Sequence, residues 1–190
     1  MPLQVFEHDR DPDGAHDVFD RGRVLFGYTG FAAVDSFWTA HNDGEHDTAL
    51  MTVSAVSCLI IVVHCADGSG ALGHRFANPF TEQTIESTAQ MIDKLGCDDV
   101  DSILYTGGDA SYGRDGFERE VVTATRERHP AATVSWPRRR NGPGWSACVY
   151  LPRSGEIALF DDLPVNASLG ARPDAAVIRQ FGYRAAAQPS

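Results

Sequence analysis

Lysine is almost missing from this chain of 190 residues: Lys94 is the single one, and the other basic residues are arginines. With 16 basic against 26 acidic side chains the net charge is −10, which opposes general attraction to nucleic-acid phosphates or anionic lipid. Neither nucleic acid nor a membrane is therefore an expected partner. Long apolar runs are missing too, since the longest, Cys58–Val63, is far too short to cross a bilayer. Cysteine is sparse, and the four present (Cys58, Cys65, Cys97 and Cys148) are irregularly spaced in mostly apolar surroundings. That pattern predicts reduced, buried thiols rather than a disulfide framework. The N-terminus lacks the basic start and apolar stretch of a secretory signal, so the expected location is the cytoplasm, with export by a route that leaves no such mark left open.

What is present is an ordinary globular composition, 43% hydrophobic and 22% charged, in a chain long enough for one core but not for two. Residues 1–22, rich in aspartate, read as a mobile acidic lead-in. Val24–Tyr28 and Phe31–Trp38 read as strands joined by a turn at Thr29-Gly30. Thr48–Val53 and Val56–His64 carry the strongest strand signal, and the second is apolar on both faces, as in a central strand covered on each side. Its two-residue period sets Cys58, Ile60, Val62 and His64 on one face and Leu59, Ile61, Val63 and Cys65 on the other, so Cys58 and Cys65 point apart.

Beyond the Asp67–Gly70 turn, Ala71–Phe76 forms a return segment. A helix is predicted over Thr81–Leu95, with Thr81 as N-cap and Gly96 as the stop. Ser102–Thr106 reads as a buried strand, Phe117–Arg128 as a second amphipathic helix, and Ala132–Trp136, Ser146–Leu151 and Glu156–Phe160 as further strands. Pro173–Tyr183 reads as a short terminal helix. The order implies a single α/β domain of α+β type, a mixed sheet or sandwich core covered by two main helices.

Within this layout Thr52, Cys58 and His74 stand out. A cysteine nucleophile needs a base within hydrogen-bond reach and a rigid support for both. Cys58 opens the central strand, and His74 lies on the returning strand where it comes back alongside. The same two residues with His64 and Cys65 make a competing zinc reading, weakened by the opposed faces of Cys58 and Cys65 and by spacings that match no common zinc pattern. His41, Asp43, Glu45, His46 and Asp47 form a second acidic and histidine-rich group that reads as a solvated loop. No metal and no cofactor is called for. Trp136, Arg138, Arg139, Arg140 and Trp145 frame a basic, aromatic, glycine-rich segment suited to the rim of a site or to contact with an acidic partner.

The run Thr52-Val53-Ser54-Ala55-Val56-Ser57-Cys58 resembles the Thr-x5-Cys motif of the chemoreceptor glutamine deamidase family CheD, which usually ends in Gly-Ser-Cys. Gly70-Ala71-Leu72-Gly73-His74 is similar to that family's Gly-Gly-Leu-Ala-His at nearly the same distance from the cysteine. Gly107-Gly108-Asp109-Ala110 looks like its Gly-Gly-Ala element, and Ser146–Phe160 like its closing strands. The departure is Val56, where the family has glycine. The resemblance spans residues 48–162, leaving 1–47 as an addition with extra strands and 163–190 as a tail. It implies the fold shared with the catalytic domains of cytotoxic necrotizing factors and lethal-factor toxins, and a bacterial role in chemotaxis or as a toxin-like effector. It further implies hydrolysis of a glutamine side-chain amide in a protein substrate, with Cys58 as nucleophile, His74 as base and acid, Thr52 as orienter and backbone N–H groups near Ser57 and Cys58 at the oxyanion. The alternative is a catalytically inactive binding module of the same fold, which predicts a buried, unreactive Cys58 distant from His74. Substrate identity and oligomeric state are not legible in the sequence.

Overall fold

A computed structural model describes residues 3–8, 26–32, 36–42, 47–52, 55, 57–76, 81–107, 116–137, 145–160, 165–166 and 172–173. In chain order the elements are β1 (Gln4–His8), β2 (Phe26–Phe31), β3 (Ser36–Ala40), β4 (Asp47–Thr52), β5 (Cys58–Cys65), β6 (Gly70–Phe76), α1 (Thr81–Leu95), β7 (Val100–Gly107), α2 (Phe117–Arg128), β8 (Thr133–Ser135), β9 (Ala147–Leu151), β10 (Glu156–Phe160), β11 (Val165–Asn166) and β12 (Arg172–Pro173). Two mixed five-stranded sheets, ordered β1-β10-β9-β4-β2 and β3-β6-β5-β7-β8, pack face to face, and a two-stranded ribbon joins β11 to β12. The class is mixed α and β. No helix among the described residues is long and apolar enough to cross a membrane.

β5 dictates this layering. All eight of its residues are buried, which requires cover on both faces. Cys58, Ile60 and Val62 join Leu50, Cys148, Tyr150, Ile157 and Leu159 in the core between the sheets. Leu59, Ile61, Val63 and Cys65 join Met91, Ile92, Leu95, Phe117 and Val121 in the core beneath the helices. The two-residue period of one strand thus separates two hydrophobic cores.

β5 and β6 form an antiparallel hairpin, and β7 pairs antiparallel on the other side of β5. α1 connects β6 to β7 across β5, and α2 connects β7 to its parallel neighbour β8. Gly96 ends α1 with φ +65, a left-handed conformation that glycine adopts without a Cβ penalty. Under the helices, Thr88 Oγ1 and Thr125 Oγ1 each lie 2.9 Å from the Tyr105 hydroxyl, so one phenol on β7 ties both helices to the sheet.

Several expectations are corrected. Gln4–His8, inside the expected lead-in, is a strand paired in parallel with β10, a long-range pairing that leaves no local signal. Thr29-Gly30 is no turn: β2 runs through both residues, and β2 and β3 belong to different sheets. Pro173 lies in β12 rather than opening a helix, and the rest of that expected helix falls outside the described residues. The expectation of four reduced thiols also fails. Cys65 and Cys97 form a disulfide, with Cα atoms 6.3 Å apart, while Cys58 and Cys148 lie outside it. The cause is topological: β6 leads away from the Cys65 end of the sheet and α1 leads back, so Cys97 arrives beside Cys65 despite a sequence separation of 32.

Candidate active site

Thr52 and His74 reach each other across the space between the sheets. Thr52 is the last residue of β4, where it pairs with Cys148 of β9. His74 sits on β6, opposite Ile60 on one side and Ser36 on the other. Thr52 Oγ1 lies 2.7 Å from His74 Nδ1, and the Thr52 hydroxyl donates to the Ala32 carbonyl at 2.8 Å. A hydroxyl has one proton to give, and a carbonyl can only accept. With that proton on the Ala32 bond, Thr52 accepts from the imidazole, so the proton of neutral His74 sits on Nδ1 and Nε2 is the basic nitrogen. The Ala32 carbonyl is itself fixed, because the Ala32 N–H donates to Met51 O at 2.9 Å.

Cys58 enters through the register of β5 and β6. It pairs with Phe76, and Ile60 pairs with His74, so Cys58 and His74 are diagonal neighbours on the face turned to the other sheet. Diagonal positions are spaced roughly 7–8 Å apart, a gap that an imidazole can span. Thr52, His74 and Cys58 are 0%, 1% and 6% exposed, so the group lies in a nearly dry environment. Such a setting strengthens each polar interaction within it. The deep burial of Cys58 also matches what an inactive binding module predicts. Ser57 is exposed at the head of β5.

Two positions add to the group. Gly107, the last residue of β7, pairs with Leu59 and has φ +149. A Cβ there would fall on the Cys58 carbonyl oxygen and within 3.1 Å of Leu59 Cα. Glycine is therefore needed at 107 for β7 to approach the backbone of the cysteine. Thr106, opposite Ile60 on β7, flanks Cys58 diagonally as His74 does from β6. Its hydroxyl donates to Pro137 O at 3.5 Å and accepts from the Trp145 N–H at 3.4 Å, drawing two distant backbone segments together beside the cysteine. Sequence reasoning missed Thr106 and Ala32, because both act through partners remote in the chain.

The aromatic rim expected from the sequence is placed differently. Trp145 is 1% exposed and belongs, with Ala55, Cys58 and Cys148, to the core between the sheets, so it is a wall of the core rather than a rim. Trp136 stacks on Tyr105 with ring centroids 5.6 Å apart and meets Phe117 edge-on, under the helices. Large aromatic surfaces repay burial more than exposure, and neighbouring arginines in the sequence do not change that. Arg138, Arg139 and Arg140 lie outside the described residues, as do Asp43, Glu45 and His46.

The four residues of the zinc reading are not brought together at one point. Cys65 is in the disulfide and packs under the helices, while His64 Nδ1 lies 2.7 Å from the Tyr150 hydroxyl between the sheets. Among the described residues no three His, Cys, Asp or Glu side chains are grouped to hold a metal ion. His64 and Tyr150 make a second contact across the sheets, and the Tyr150 hydroxyl also donates to Val63 O at 3.3 Å. Burial, with the neighbouring Cys148, Asp101 and Asp67, holds the Tyr150 phenol well above its ordinary pKa. Burial raises the Cys148 thiol likewise, as expected of a thiol packed in an apolar core.

Comparison with protein-family models and with curated proteins finds no match to this chain.

Proposed function

We propose that this chain is a cysteine-dependent protein glutamine deamidase, converting a glutamine side chain of a partner protein to glutamate with release of ammonia. The observation that carries the reading is the buried bond between Thr52 and His74, anchored on the Ala32 carbonyl, which leaves Nε2 basic on the face where Cys58 opens the adjoining strand. A nucleophile, a base and a residue that orients the base are the parts that acyl transfer through a thioester requires.

In this mechanism His74 Nε2 takes the Cys58 proton, and the thiolate attacks the amide carbon of the glutamine. Backbone N–H groups near Ser57 and Cys58 stabilise the oxyanion, a contribution of about 3 kcal/mol per donor. The imidazolium, held by Thr52, returns its proton to the departing nitrogen, and ammonia leaves. Water deprotonated by the same imidazole then attacks the thioester, giving glutamate and restoring the thiol. The order of motifs resembling the CheD family supports the same chemistry, and the sequence Arg138–Arg140 favours a partner with acidic residues beside the glutamine.

The burial of Cys58 favours a second reading, a binding module of this fold that has lost activity. Ammonia release from candidate partner proteins, compared between wild type and Cys58→Ser, separates the two. The deamidase reading expects ammonia and a matching glutamine-to-glutamate change from wild type alone. Capture of the same partner by both proteins, with its glutamines intact, assigns the chain to the binding class.

A further inference from the structure

The disulfide lies at the end of β5 remote from Cys58. Cys65 closes the strand, and Cys97 follows the glycine that terminates α1. The chain between them contains the whole of β6 and the whole of α1, so the bond closes a covalent ring around the strand that carries His74 and the helix packed behind it. Helix and strand meet at Gly73, the residue before His74: a Cβ there would stand 2.8 Å from Met91 Sδ. Met91 lies less than two turns from Cys97. The ring thus links the seat of the helix to the backbone that positions the imidazole.

The two cysteines differ in burial. Cys65 is buried in the apolar core beneath the helices, whereas Cys97 is partly exposed in a turn flanked by exposed Gly96, Asp98 and Asp99. A solvent-borne thiolate therefore has its approach from the Cys97 side, and the leaving thiol at Cys65 remains in surroundings that accept a small apolar group.

We propose that Cys65–Cys97 is a reversible redox modification site whose state sets how firmly α1 is seated on the sheet behind His74. The co-reactant class is a small-molecule thiol of the glutathione type. Its thiolate attacks Cys97 Sγ, the S–S bond breaks, and the Cys65 thiolate leaves and takes up a proton. A second thiol attacks the mixed disulfide, so that Cys97 leaves as a thiolate and is protonated while the two small thiols depart as their own disulfide. Two electrons pass from the small thiols to the protein, and the oxidised small molecule reverses each step. This inference stands apart from the deamidase reading, since it concerns the ring and not the chemistry of Cys58.

The test equilibrates the intact chain without oxygen in buffers from fully reduced to fully oxidised glutathione, followed by acid quench, alkylation and mass mapping. Cys65 and Cys97 should change together and reversibly across the series. The reduced form should melt about 7–15 °C below the oxidised one, the shift that releasing a ring of this size implies for a chain of this length. Backbone hydrogen exchange should quicken in the last turns of α1 and in β6 by more than in α2, which reports the general loss of stability. Cys97→Ser should reproduce the reduced form in every buffer. If that variant does not fold, wild type at the two extremes of the series decides alone. Three results would each overturn the proposal: no disulfide in the most oxidising buffer, a disulfide that persists in the most reducing one, or reduction that leaves both melting and α1 exchange unchanged.

Discussion

Replacing Thr52 by valine removes one hydroxyl and almost no volume. Valine keeps the β-branched shape that suits the end of β4, so the packing around a fully buried position is retained. The His74 Nδ1–H then loses its acceptor in a site that excludes water, and an orphaned buried donor costs about 1–3 kcal/mol. The imidazole escapes part of that cost by moving its proton from Nδ1 to Nε2. The buried Ala32 carbonyl loses its side-chain donor at the same time, so stability should fall by about 1–3 kcal/mol. Function should fall as well, because the relocated proton occupies the nitrogen that must act as base. The lost bond also supports the imidazolium, and hydrogen bonds to charged groups are worth about 1.5–3 kcal/mol, or roughly 10- to 150-fold in the reaction of Cys58. The assay is the rate of Cys58 alkylation by iodoacetamide at neutral pH, mapped by mass spectrometry, beside thermal melts and nitrogen NMR of the imidazole. Wild type should show the proton of the neutral ring on Nδ1, and Thr52→Val should shift it towards Nε2. An Nε2–H tautomer in wild type, or an unchanged alkylation rate in the variant, would refute the assigned role of Thr52.

Gly107→Ala places a methyl group on the Cys58 carbonyl oxygen and forces φ +149 on a residue with a Cβ, so β7 must shift. We expect a loss of about 1–3 kcal/mol in denaturant unfolding, with slower Cys58 alkylation; a variant as stable and as reactive as wild type would contradict the close approach. Alkaline pH should destabilise the fold steeply. Burial raises the pKa values of Cys148, Tyr105 and Tyr150, so these groups keep their protons when folded and lose them more readily when unfolded. Their contribution is complete below about pH 8.5 and declines above it, first through the thiol at up to about 1.4 kcal/mol per pH unit and more steeply from about pH 10 as both phenols join. Denaturant titrations from pH 7 to 11 measure this, and a flat profile would contradict the assigned burial.

Much of the fold was legible because it depends on local pattern. The apolar run of β5 announced a strand covered on both faces. Thr81, Gly96 and the spacing of Ile85, Ile92 and Leu95 marked α1, and period-two alternation placed Cys58 on the face later shared with His74. The remainder depends on contacts between distant segments, for which a sequence carries no periodic signal. The parallel pairings of β1 with β10 and β2 with β4 are of this kind, and so is the Ala32 carbonyl that fixes the proton of Thr52. The disulfide was hidden for the same reason, since only the return of α1 over β5 brings Cys97 to Cys65. Trp145 was misplaced because its neighbours in the sequence are polar, whereas its neighbours in space are the cores of both sheets.

The pairing of Cys58 with His74 is tested most directly by alkylating the native chain with iodoacetamide, under conditions that keep the Cys65–Cys97 disulfide, in wild type and in His74→Ala. If the two act as nucleophile and base, Cys58 is labelled at neutral pH well ahead of Cys148, and loss of the imidazole slows its labelling at least tenfold, the effect of about 1.4 kcal/mol in thiolate stabilisation. Labelling of Cys58 that waits for denaturation, or that proceeds equally in His74→Ala, would contradict the pairing.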